Sequence, residues 1–139
     1  MKLYLGLLES SLPGQTRIFG DVDGKLVDLN FTCAACLIQL DNNRSNAYEL
    51  AAYHFPETIA EFLDRGEQSL KILDQVVAFA HKNGAHNLRG PAGEKVVYDP
   101  AEVRILPPFQ NPEKSFAIGF SDKARTEALP KAEIPTGYY

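Results

Sequence analysis

The chain has 139 residues, a length that suits one domain and lets about two-thirds of the unfolded surface be buried on folding. Hydrophobic residues make up 45% and charged residues 23%, ordinary globular usage that excludes a disordered or fibrous chain. A formal net charge of -4 with no run of Lys and Arg removes the term that dominates nonspecific nucleic-acid binding, so no nucleic-acid partner is expected.

The opening stretch Lys-Leu-Tyr-Leu-Gly-Leu-Leu meets Glu9 and Ser10 almost at once, too soon for a signal-peptide core or a membrane span. A cytoplasmic protein without a membrane partner is therefore expected. Residues 3–8 and 16–22 read as strands, and Asp23-Gly24 then leads into a third strand over 25–29, where Leu26, Val27 and Leu29 are apolar. Asp-Gly supplies the positive φ of a two-residue hairpin turn, which explains Asp21-x-Asp23-Gly24 without calcium. A calcium loop would also need oxygen ligands after the glycine, where Leu26-Val27 stands instead.

From Asn30 the pattern turns helical, with Ala34, Ala35, Leu37, Ile38 and Leu40 at spacings of three and four. Asn46 with Glu49 reads as a capping box opening a helix over 47–54, and Pro56 separates it from a helix over 57–64. Gly66 ends that one, and a helix over 67–82 follows with Leu70, Leu73, Val76, Val77 and Ala80 on one stripe. Residues 84–95 form a surface loop. Its glycines near Lys95 are not a phosphate loop, because Glu94-Lys95 runs into the strand-like Val96-Val97-Tyr98 rather than opening a helix. Residues 102–106 and 115–120 are short apolar strands, separated by Pro107-Pro108 and Pro112, which cannot extend either ladder. The class is α+β: a small domain with an antiparallel hairpin or sheet packed on three or four helices.

Chemistry-bearing residues are sparse. Cys33 and Cys36 have the C-x-x-C spacing of a redox pair or half a zinc site, against which stands a plain reading as two small apolar residues one helical turn apart. His54 stands alone, and His81 and His86 flank the Asn83-Gly84 break, so none joins the cysteines at metal-ligand spacing. Glu57, Glu61 and Asp64 with Arg65 read as a solvated helix face. No nucleophile stands in a recognisable setting.

The run Glu102-Val103-Arg104-Ile105-Leu106-Pro107-Pro108, then Asn111-Pro112-Glu113-Lys114 and Ala117-Ile118-Gly119, resembles the junction between the N-terminal and catalytic domains of the fumarylacetoacetate hydrolase family. Leu26-Val27-Asp28-Leu29-Asn30 resembles the strand after that family's first hairpin, and the helical middle with Phe62-Leu63 and Gly66 fits its layout. The resemblance implies an N-terminal domain over 1–106, then a linker and the first segment of a truncated catalytic domain over 107–139. It also implies that a β-rich catalytic domain of the same chain would follow as partner, holding Mg2+ or a similar divalent ion on carboxylates, in a parent that is a homodimer candidate. Such enzymes hydrolyse, decarboxylate or isomerise small diketo and 2-oxo acids. Many members carry Asn-Tyr-x-Asp-His and then Glu after the Ile-Gly pair; here Phe120-Ser121-Asp122-Lys123-Ala124-Arg125-Thr126-Glu127 stands there, without histidine. Lys123 or Arg125 takes the histidine's place and Glu127 the acid's, which favours a lyase, dehydratase, isomerase or degenerate member over a diketone hydrolase. No metal or cofactor ligand is expected within this stretch, and the stretch alone is expected to be inactive. Two rivals remain open: a self-contained small-molecule-binding or interaction module, and a thiol redox protein using Cys33 and Cys36.

Overall fold

The computed structural model describes residues 1–8, 15–42, 45–110, 112 and 114, together with the backbone of 117–118 and 137–138. Three strands open the chain, β1 (Leu3–Leu8), β2 (Arg17–Val22) and β3 (Lys25–Asp28). Four helices follow: α1 (Leu29–Asp41), α2 (Ala47–His54), α3 (Ile59–Asp64) and α4 (Glu67–Asn83). The chain then returns to the sheet as β4 (Val97–Tyr98) and β5 (Val103–Leu106). Sheet order is β4-β3-β2-β1-β5, antiparallel throughout, which is the expected α+β class. Two further strands, β6 (Ala117–Ile118) and β7 (Gly137–Tyr138), pair with each other.

The β2–β3 turn forms as the sequence dictates. Asp23 and Gly24 both take positive φ, 53° and 78°, and Oδ1 of Asp21 accepts from the Gly24 amide at 3.1 Å. That turn sets the register Val22↔Lys25 to Phe19↔Asp28, placing Ile18, Val22 and Val27 on the helix side and Phe19 and Leu26 on the other.

The sheet is curled. Its outermost strands, β4 and β5, would lie about 19 Å apart if five strands were laid flat. The link from Tyr98 to Val103 spans at most roughly 17 Å fully extended, and residues Pro100–Glu102 of it are wound into a 3-10 turn. The edges must therefore bend toward each other. Accordingly Tyr98 from one edge and Val103 from the other join Phe19, Leu26, Tyr4 and Leu8 in one cluster, with the Phe19 and Tyr98 rings edge to face at 5.9 Å. On the convex side Leu5 and Ile18 meet Leu29, Cys33, Ala34 and Cys36 of α1, Ala47 and Ala51 of α2, Phe55, Phe62 and Val76.

Several boundaries differ from the sequence reading for local reasons. Leu29 opens α1 instead of closing β3, because Asp28 caps the helix through Oδ1, which accepts from the Asn30 and Phe31 amides. The capping box at Asn46 does not form: its ψ of 19° departs from the extended geometry of a side-chain cap, and its Oδ1 is buried without a hydrogen-bond partner. Thr58 caps α3, moving its start to Ile59. On α4 Leu70 points outward at 51% exposure and Ser69 takes the buried position, so the inner stripe runs Ser69, Val76 and Ala80 with Ile72, Leu73 and Phe79 partly covered.

Candidate functional site

The most buried ionic group among the described residues is built where β2, β3 and α1 meet. Asp28 is fully buried, and its Oδ2 accepts from Nη1 of Arg17 at 3.1 Å while Oδ1 takes the two helix amides. The Arg17 guanidinium lies over the Phe31 ring, 4.1 Å from its centroid. Burial pushes the Asp28 carboxyl above the ordinary range, opposed by Arg17 and by both amides. All three donors are structural partners, so the pair locks α1 onto the hairpin. A cleft of about 210 Å³ opens beside it between Thr16, Arg17, Asn30, Phe55 and Glu57. Across that cleft the Thr16 hydroxyl donates to the Glu57 carbonyl and the side-chain Nδ2 of Asn30 donates to the Phe55 carbonyl at 3.0 Å.

A second polar group lies at the β4 edge. Lys25 pairs with Asp99, and Lys95 with Glu102 at 2.6 Å, while the other Glu102 oxygen accepts from the Asp99 amide at 2.8 Å. Hydrogen bonds from the two lysines hold the Asp99 and Glu102 carboxyls below the ordinary range. Arg89 and His86 reach the same place from the loop after α4, and the residues together line a cleft of about 320 Å³. Spacing in the sequence gives no hint of this convergence, since it requires β4 to pair with β3.

The cysteines are buried on the inner side of α1, neither in a disulfide. Burial, with Cys36 adding to it, pushes the Cys33 thiol up to about 12, the opposite of what a redox pair needs. This is the plain reading of C-x-x-C, and it removes the support for a thiol redox protein. His81 faces Asp23 at 3.9 Å with both side chains exposed. His54 is half-buried and lowered, first by burial and then by Arg65, whose guanidinium lies over Tyr53. Glu57, Glu61 and Asp64 are exposed, as a solvated face requires. The glycine-bearing loop is pinned by Glu94, which accepts from the Tyr48 hydroxyl and the Ala92 amide. Lys123, Arg125 and Glu127 lie outside the described residues. Among the described residues no three His, Cys, Asp or Glu side chains are grouped to hold a metal ion, and no helix is long and apolar enough to cross a membrane.

Comparison with family models, with curated proteins and with solved structures finds no match to this chain.

Proposed function

We propose that this chain is the N-terminal, noncatalytic domain of a fumarylacetoacetate hydrolase-like enzyme, and that its work is to pack against and position a catalytic domain acting on small 2-oxo or diketo acids. One observation carries the reading. The residues of the resembling junction form β5, the strand that completes the curled sheet against β1, and Pro107-Pro108 follow directly. A strand that pairs with β1 and is followed by two prolines supports reading this stretch as a domain end, in keeping with the resemblance. Beside that point Ile105 and Phe109 are 50% and 54% exposed, apolar surface suited to a packing neighbour.

When bound in such a catalytic domain, a divalent ion polarises the oxo-acid oxygens and stabilises the enolate charge. The described residues do not fit that ion, so no step of the reaction is assigned to them. Lys123, Arg125 and Glu127 are assigned by the resemblance alone, and the cytoplasmic setting and a homodimeric parent belong to the same reading. A second reading, a self-contained small-molecule-binding or interaction module, draws on the cleft at Arg89.

The test uses the 139-residue chain with Mg2+ and a panel of small 2-oxo and β-diketo acids. We expect no turnover and no change in melting temperature on adding Mg2+, because linkage stabilisation requires a site on the folded state. Turnover, or a saturable rise in melting temperature, would contradict the proposal.

A further inference from the structure

Arg89 and Lys95 face each other across a single antiparallel bridge in the loop between α4 and β4. Residues paired in this way send their side chains to the same side, roughly 5 Å apart at Cβ, where like charges repel. Among the described residues Arg89 meets no carboxylate; its Nη1 donates to the Leu88 carbonyl at 2.8 Å, a contact that steadies the guanidinium without neutralising it. Lys25 reaches the same cleft from the start of β3, so three cations stand against the two carboxylates of Asp99 and Glu102. Glu102 is fixed by the Asp99 amide, and both lysines are held through solvent-exposed pairs of the kind that contribute little to stability.

We propose that this cleft binds a small anion bearing carboxylate or phosphate groups, with the planar fork of Arg89 as its anchor and Lys95 and Lys25 as flanking charges. Arginine suits the role because its N–H donors match two oxygens of one oxyanion at once, whereas each lysine supplies a movable point charge. The Tyr98 ring, 4.9 Å from the Lys95 ammonium, gives the cleft an aromatic wall. A volume of about 320 Å³ lies at the small end of ligand sites, which favours a compact ligand over one of nucleotide size. The inference stands whichever of the two functional readings holds, since it concerns only residues of β3, β4 and their loops.

The experiment is a titration of the 15N-labelled chain at pH 7 and constant ionic strength, with inorganic phosphate and succinate in separate series and chloride as the control. We expect saturable amide shifts at Arg89, Lys95 and Tyr98 with one of the two probes: phosphate alone assigns a phosphate ligand, succinate alone a dicarboxylate. Arg89→Gln should weaken that binding about tenfold and move the melting temperature by no more than about 2 °C. If Arg89→Gln lowers stability further, Lys25→Gln on the opposite wall carries the same test with a smaller expected loss. Shifts no larger than those from chloride, or affinity unchanged in the folded variants, would overturn the proposal.

Discussion

Asp28 is asked to serve three donors from a fully buried position, and the balance among them makes the Arg17 pair testable by pH. Burial raises its folded-state pKa, so the folded form holds the proton more tightly than the unfolded chain does, and stability from this group is lost as pH rises through the folded value. Arg17→Met keeps the aliphatic contact and removes the charge that offsets burial. We expect a cost of roughly 3 kcal/mol at pH 7, the range for breaking a buried pair. The deficit relative to the unsubstituted chain should shrink as pH falls toward the ordinary carboxylate range, because the lone Asp28 then protonates. Urea unfolding of both proteins at matched pH cancels the opposite-signed contributions of Asp99 and Glu102; a deficit that does not change with pH would contradict the account. Cys33 gives a second check at this scale. With its thiol pushed up to about 12 and its side chain buried, alkylation at pH 8 should follow chain opening, so iodoacetamide labels it in denaturant and not in the native state. Stoichiometric native labelling within minutes would restore the redox reading.

At the scale of elements, the sheet depends on glycine at one position, Gly6 of β1, more than at another, Gly20 of β2. A Cβ on Gly6 would lie 2.5 Å from Val103 Cγ1 and 3.0 Å from the Phe19 ring, both stiff groups in the concave cluster. Gly6→Ala must therefore push β5 away from β1, at a cost of roughly 1–3 kcal/mol. A Cβ on Gly20 meets Sδ of the exposed Met1 side chain, which can swing aside, and the buried Leu29 side chain at 3.2 Å, which must give by a few tenths of an ångström, so Gly20→Ala should cost less than Gly6→Ala, about 1 kcal/mol. Denaturation midpoints that reverse this order would show that the concave cluster is misplaced. The elements themselves were legible where the signal is local: β1 and the Asp23-Gly24 turn follow from alternation and turn chemistry. Asp28 was read inside the third strand, because the apolar Leu26, Val27 and Leu29 continue past it; its capping of α1 rests on backbone geometry, and the two-residue turn puts it opposite Phe19 with Arg17 diagonal to it. Asn46 and Leu70 read differently because a cap needs the right backbone angle and a stripe needs a partner face, and tertiary packing decides both.

At the scale of the whole described sheet, the pairing of β5 with β1 leaves β4 and β5 as its two ends, brought toward each other by the short link between them. Nothing in the periodicity of residues 102–106 says which strand they join, so the curl and the concave cluster could not be read beforehand; the meeting of Lys25 with Arg89 and Lys95 was hidden for the same reason in β4, whose pairing with β3 no local signal gives. Strand β5 carries the functional proposal, because its sequence is the part that resembles a domain junction. The most direct measurement is the coding sequence beyond the Tyr139 codon, read from the source DNA. The account predicts an open frame of catalytic-domain length containing clustered acidic residues such as Glu-x-Glu, which would supply the metal ligands; a stop codon at that point would contradict it and leave a self-contained module.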